Sequence, residues 1–176
     1  NAGPNQTVCV TTATLAGNTA TIGTGTWTLI SGSGTITTPS SPTSGITGLG
    51  VGANVFQWTI SNNPCPATTD QVTITGIAAP TVANAGPNQT VCATTATLAG
   101  NTATVGTGTW TLISGSGTIT TPSSPTSGVT ALGVGANVFQ WTIANAPCPS
   151  TTDQVTITGV AAPTASNAGP NQTICA

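Results

Sequence analysis

Val55-Phe56-Gln57-Trp58-Thr59-Ile60 is the stretch that decides the fold, and the same six residues return at 138–143. Large apolar side chains alternate with polar ones through it, which places Phe56, Trp58 and Ile60 on one face. An alternation with a period of two residues is typical of a β-strand with one buried side. The stretch therefore predicts a strand whose inner face lines a hydrophobic core.

The whole sequence repeats with a period of 83 residues. The motif Asn-Ala-Gly-Pro-Asn-Gln-Thr occupies residues 1–7 and recurs twice at that interval, and residues 1–83 differ from residues 84–166 at only ten positions. A fixed period of this kind indicates a tandem array. We therefore expect two domains, 1–83 and 84–166, followed by the first strand of a third repeat in 167–176.

The composition is almost free of charge. The 176 residues include no Lys, Arg or His, and the net charge of −2 comes from Asp70 and Asp153. Polarity comes largely from hydroxyl groups, and the first repeat alone contains 20 threonines, a residue type that favours β-structure. Because no cation can neutralise a phosphate, neither nucleic acid nor an anionic membrane is expected as a partner. So weak a surface charge favours association with other copies in a filament.

Turn-forming residues divide each repeat into short segments. Gly, Pro, Ser and Asn clusters separate seven predicted strands in the first repeat: 6–10, 12–18, 26–29, 35–37, 45–49, 55–60 and 70–75. Seven short strands with turn signals about every ten residues predict an all-β fold, a two-sheet immunoglobulin-like sandwich. Trp27 and Trp58, with their copies Trp110 and Trp141, are expected to meet in the core, and Leu29 is expected to face it as well.

Several further motifs resemble one known family. These are Asn-Ala-Gly-Pro-Asn-Gln-Thr, Ala-Thr-Leu-Ala-Gly-Asn, Gly-Thr-Trp-Thr and Thr-Asp-Gln-Val-Thr-Ile-Thr, together with the 55–60 stretch. Each repeat is similar, end to end, to PKD-like domains, above all to the cysteine-containing version in giant Bacteroidetes surface proteins such as gliding-motility adhesins of the SprB type. The resemblance implies an extracellular location on the bacterial cell surface, secretion by the type IX system, and a role as stalk, filament or adhesin. It supplies no catalytic residues.

The residue set argues against catalysis and against a cofactor. General acid–base chemistry would rest on a single carboxylate per repeat, with no base to activate a serine or cysteine nucleophile. Asp70 could contribute to a calcium site, but calcium requires six to eight oxygen ligands, so capping of the turn into the last strand is the favoured role. Asn5 begins a glycosylation sequon. No catalytic, cofactor or metal site is therefore predicted.

Two functional hypotheses follow. The leading one is a structural segment of a long extracellular stalk, filament or adhesin, in which each repeat is a rigid disulfide-braced spacer partnered by its neighbours. The alternative is a module that binds a surface glycan or another surface ligand. The four tryptophans could stack on sugars, but their alternation with core residues favours packing. Since no run of 18 apolar residues occurs, no membrane-spanning segment is expected.

The cysteines are the reactive groups of the sequence: Cys9, Cys65, Cys92, Cys148 and Cys175. In a secreted array we expect them to form disulfides. A bond within one repeat, from Cys9 to Cys65, would join opposite ends of the sandwich. A strand of about six residues separates those ends by roughly 20 Å, whereas a disulfide needs about 4.4–6.8 Å between Cα atoms.

Head-to-tail stacking of repeats instead favours Cys9 with Cys148, and Cys92 with a cysteine beyond this chain. The within-repeat bond stays open as an alternative. So does Cys65 with Cys92, which becomes the favoured pair if the motif at Asn84 completes the preceding domain rather than opening a new one.

Overall fold

The computed structural model describes residues 1–174, which form β-strands joined by turns and loops. The first repeat contains seven strands: β1 (Gln6–Val8), β2 (Ala13–Thr14), β3 (Thr24–Ser31), β4 (Thr35–Ile36), β5 (Gly45–Thr47), β6 (Gly52–Asn62) and β7 (Cys65–Gly76). The second contains seven at equivalent places: β8 (Gln89–Val91), β9 (Ala96–Thr97), β10 (Thr107–Ser114), β11 (Thr118–Ile119), β12 (Gly128–Thr130), β13 (Gly135–Ala144) and β14 (Thr151–Gly159). The all-β, seven-stranded prediction is confirmed.

Each repeat forms two sheets. In the first repeat a four-stranded sheet has the order β1-β7-β6-β3, and a three-stranded sheet has the order β2-β5-β4. In the second repeat the corresponding orders are β8-β14-β13-β10 and β9-β12-β11. The first strand pairs with the last in parallel, with Gln6 opposite Ile74, while the other pairings of the first repeat are antiparallel. This is a tandem immunoglobulin-like sandwich architecture, as predicted.

The described chain divides into two compact units whose limits are not those of the repeats. The first unit combines Asn1–Val82 with two short segments of the second repeat, Ala103–Gly108 and Ile143–Thr151. The second unit combines Ala83–Thr102, Thr109–Thr142 and the chain from Thr152 onward. Folding boundaries at 83 and 166 remain a prediction from the sequence.

A pair of tryptophans occupies the centre of each core. Trp27 and Trp58 lie directly opposite each other on β3 and β6, their ring centroids 5.0 Å apart and each side chain only 2% exposed. A tilted contact at this distance is a favourable aromatic geometry. Trp110 and Trp141 repeat it at 5.0 Å. The indole Nε1 groups of Trp27 and Trp58 donate to the carbonyls of Pro42 and Asn18, so these polar atoms are satisfied despite burial.

Room for the indoles comes from two glycines. A Cβ on Gly25 would lie 2.0 Å from Cζ2 of Trp58, and one on Gly17 would lie 2.9 Å from Cζ2 of Trp27. Both distances are shorter than van der Waals contact, so a methyl group at either place would displace a ring. Gly17 and Gly25 are therefore required for packing of the indole rings in the core.

A buried amide fixes the turn that leads into β6. Asn54 is 1% exposed, its Nδ2 donates to the carbonyls of Gly50, Gly52 and Ile74, and its Oδ1 accepts from Ser33 N. Asn137 does the same in the second repeat. Because every polar atom of the amide is satisfied, burial costs little and the turn geometry is specified.

Two details of the sequence prediction were wrong. Leu29 is 39% exposed rather than buried, because it lies on the edge strand β3 beside a register shift between Leu29 and Ser31. The predicted strand at 12–18 shrinks to Ala13–Thr14. Beyond it, the amides of Leu15 and Gly17 bond to carbonyls of the 42–44 turn instead of a partner strand.

Candidate functional site

The Asn-Ala-Gly-Pro-Asn motif fastens the start of the repeat to its last strand. The amide of Ala2 donates to Oδ2 of Asp70 at 2.7 Å, and Oδ1 of Asn5 accepts from the amide of Thr73 at 2.9 Å. Ala2 is fully buried, so a larger side chain has no space there. Gly3 has φ +82, which favours glycine, and its amide donates to Oδ1 of Asn1. Each polar residue of the motif therefore has a defined bonding partner.

The second repeat contains the same set of bonds. Ala85 N donates to Oδ2 of Asp153 at 2.8 Å, and Thr156 N donates to Oδ1 of Asn88 at 2.8 Å. In the third copy of the motif the local turn is also present, with Gly169 N donating to Oδ1 of Asn167 at 2.8 Å. The local turn is thus present in all three copies of the motif.

The carboxylate of Asp70 binds the start of the repeat, which is distant in sequence, rather than the turn before its own strand. Its side chain lies within β7 and is 51% exposed, and besides Ala2 N it accepts from the amide of Gln71 at 3.0 Å. The hydrogen bond from the amide of Ala2, and to a smaller extent the one from the amide of Gln71, lower the pKa of Asp70 below its usual value. The predicted capping of the turn into the last strand was therefore wrong. The bond from Ala2 joins residues 68 positions apart, and sequence spacing does not reveal it.

A disulfide joins Cys9 of the first repeat to Cys148 of the second. Their Cα atoms lie 5.2 Å apart and the cysteines are 139 positions apart in sequence. Both residues belong to the first compact unit, because the segment Ile143–Thr151 packs within it. Cys148 is 8% exposed. Of the pairings considered from the sequence, the structure thus contains the one between adjacent repeats.

Hydrogen bonds surround the disulfide. We use the name cysteine hairpin for residues 145–151, and linker face for Cys9 together with residues 77–81. Asn145 Nδ2 donates to the Ala78 carbonyl at 2.8 Å, Cys148 Sγ lies 3.4 Å from the same oxygen, and Thr151 Oγ1 donates to the Thr81 carbonyl at 2.7 Å. The bond is therefore one contact within a larger interface.

Thr81 also binds the loop at 104–105. Its Oγ1 accepts from the amides of Thr104 and Val105, each at 2.9 Å, and its own amide donates to the Val105 carbonyl at 3.0 Å. The linker residue thus uses its backbone and its side chain together. A threonine at this place gives the linker a fixed partner in the first unit.

The remaining cysteines differ from this pair. Within the described residues, Cys65 and Cys92 are exposed free thiols, so neither the Cys9–Cys65 nor the Cys65–Cys92 pairing is present. Cys175 lies outside the described residues. Residues 1–174 contain no cluster of three or more His, Cys, Asp or Glu side chains able to hold a metal ion. The four buried indoles present no open face for stacking on a sugar.

Comparisons with known proteins support the fold. No family model matches the sequence, and no curated protein matches it. Solved structures do match, among them the insect immune protein hemolin, at 10% identity, TM-score 0.54, over 91% of this chain and 46% of that chain. A second is the Sidekick-1 immunoglobulin domains 1–5, at 14% identity, TM-score 0.51, over 91% of this chain and 38% of that chain. The chain spans less than half the length of either. The described chain is thus a β-protein of two repeats with an immunoglobulin-like fold.

Residues 1–174 contain no helix that is long and apolar enough to cross a membrane.

Proposed function

We propose that the chain is a structural segment of an extracellular stalk, filament or adhesin, in which each repeat is a disulfide-braced spacer. The observation that carries the proposal is the Cys9–Cys148 bond, which joins the residue after the first strand of one repeat to the last hairpin of the next repeat. Disulfides persist in oxidising compartments, which supports an extracellular location. From the resemblance to PKD-like repeats we further propose that the parent protein is on a bacterial cell surface, exported by the type IX system, as in gliding-motility adhesins.

The bond supports a mechanical role because of where it lies in the chain. Force applied at the two ends would pass from residue 9 to residue 148 through the disulfide and bypass the residues between them. At roughly 3.3–3.6 Å per extended residue, the 139 bypassed positions correspond to about 460–500 Å of chain that cannot be released. A spacer braced in this way resists extension without requiring very stable domains.

Single-molecule stretching from the two termini tests this function. Oxidised protein is expected to release about 460–500 Å less contour length than protein with the disulfide reduced. A Cys65→Ser/Cys92→Ser variant serves as the matched control, because it keeps the Cys9–Cys148 bond. If oxidised and reduced chains extend to the same length, the disulfide carries no load and the spacer function is wrong.

A further inference from the structure

The second repeat contains an uncovered copy of the linker face. Cys92 and residues 160–164 occupy the places of Cys9 and residues 77–81, and five of these six positions have identical residues. Both copies are anchored alike, since Ile77 N donates to Val8 O and Val160 N donates to Val91 O, each at 2.8 Å. The second linker face therefore begins from the same backbone position as the first.

Burial separates the two copies. In the first, Cys9 and Ile77 are half-buried and Pro80 is buried. In the second, Cys92 and Pro163 are exposed, and Val160 is 48% exposed. The first linker face is covered by a cysteine hairpin. The second has nearly the same residues but is exposed, with no hairpin against it.

The hairpins show the complementary difference. The hairpin of the second repeat is covered, with Cys148 buried and Asn145 half-buried. Its copy in the first repeat, residues 62–68, is exposed throughout, including Asn62 and Cys65. The bonding groups are nevertheless the same, because Asn62, Cys65 and Thr68 stand where Asn145, Cys148 and Thr151 stand in the second repeat.

We propose that the linker face at Cys92 binds the cysteine hairpin 62–68 of a second copy of this chain, and that Cys92 and Cys65 then form a disulfide. The Asn62 amide donates to the Ala161 carbonyl and the Thr68 hydroxyl to the Thr164 carbonyl, as their counterparts do around Cys9. The inference deepens the proposed spacer function, on which it rests, by naming a partner for the linker face at Cys92 and for the cysteine hairpin 62–68. Copies then join to one another through one repeated contact.

The bond forms by exchange with a small-molecule disulfide, for which oxidised glutathione is the probe. One protein thiolate attacks a glutathione sulfur, forming a mixed disulfide and releasing one glutathione thiolate. The other protein thiolate attacks the mixed disulfide, forming the Cys92–Cys65 bond and releasing the second. Two protein thiols are oxidised and one glutathione disulfide is reduced to two thiols, with the two protons passing to the released glutathione or the buffer.

Two single variants, both in a Cys175→Ser background, provide the test. Cys65→Ser keeps the linker face at Cys92 but lacks the hairpin thiol, whereas Cys92→Ser keeps the hairpin thiol at Cys65. The two are mixed in equal amounts, with a size tag on one, in a buffer of reduced and oxidised glutathione, and analysed by non-reducing electrophoresis and peptide mapping. The expected product is the mixed Cys92–Cys65 dimer, several-fold in excess over both homodimers combined.

The protein with both thiols is expected to give a ladder of linked oligomers, and the Cys65→Ser/Cys92→Ser protein none. Asn62→Ala should lower the yield of mixed dimer about fivefold, as the loss of one net hydrogen bond predicts. Asn63→Ala is the matched control, because the second repeat has Ala146 at that place. Random pairing of the three dimers, a Cys65–Cys92 bond inside one chain, or monomers alone would each overturn the proposal. The stretching experiment depends only on Cys9–Cys148, so it can succeed where this one fails.

Discussion

Removal of the Cys9–Cys148 disulfide should lower stability more than any other single change to the cysteines. The bond closes a loop in which the two cysteines are 139 positions apart. In the chain-entropy model, a loop of this length restricts the unfolded chain by about 5 kcal/mol at 25 °C. For a chain of this size, about 1 kcal/mol shifts the unfolding midpoint by roughly 2–4 °C, so the expected loss is about 10–20 °C.

The assay is thermal unfolding followed by circular dichroism, at neutral pH and without reductant. Cys9→Ser, Cys148→Ser and the double variant should melt at nearly the same temperature, since removing either partner removes the whole bond. Cys65→Ser and Cys92→Ser are controls at equivalent places in the other repeat. Both remove an exposed free thiol, so neither should shift the midpoint of the monomer by more than about 1–2 °C.

Two results would refute this reasoning. One is a double variant that melts within about 3 °C of the parent chain, which would mean that the loop does not restrict the unfolded state by the calculated amount. The other is additive losses in the two single variants, which would mean that each cysteine acts through separate contacts.

Further predictions concern the charge, the core and the buried amide. Since folding lowers the pKa of Asp70, the stabilising contribution of this carboxylate is fully present above the unfolded pKa of about 3.8 and is lost as pH falls through the folded pKa. Urea midpoints between about pH 5 and pH 2 should therefore fall less steeply in Asp70→Asn. Gly25→Ala should destabilise by about 1–3 kcal/mol, because the new methyl meets the Trp58 ring. Gly48→Ala should cost only about 1 kcal/mol by urea unfolding, since no atom lies within 4 Å of its Cβ position; equal losses would contradict the packing explanation. Asn54→Ala should cost about 1–3 kcal/mol by the same assay through unsatisfied buried groups, and a loss below 0.5 kcal/mol would contradict its proposed role.

The sequence predicted the fold well because its signal is local. Alternation through residues 55–60 needs no knowledge of partners, and Phe56 and Trp58 are buried. Leu29 follows the same alternation and is exposed, because burial at a sheet edge depends on which strand lies beside it. Local pattern therefore identifies strands more surely than it identifies the residues that those strands bury.

The site was harder to predict, because its contacts join distant parts of the chain. The bonds of Asp70 to Ala2 and of Asn5 to Thr73 each join residues 68 positions apart. One signal in the sequence could have found them: the acidic residue and the Asn-Ala-Gly-Pro-Asn motif recur together in both repeats. The contacts of the cysteine hairpin with Ala78 and Thr81 depend on packing between segments that no periodicity relates.

The parallel pairing of β1 with β7 sets an order of events during synthesis. Gln6 pairs with Ile74 and Val8 with Gly76, so the first strand of a repeat finds its partner only when the last strand is available. Contacts of such long sequence separation form late and slow folding. A repeat emerging amino terminus first would stay open until nearly all of it had appeared, and its edge would remain unpaired until then. If a repeat crossed a narrow pore in this direction, its last strand would leave the pore before its own four-stranded sheet was complete.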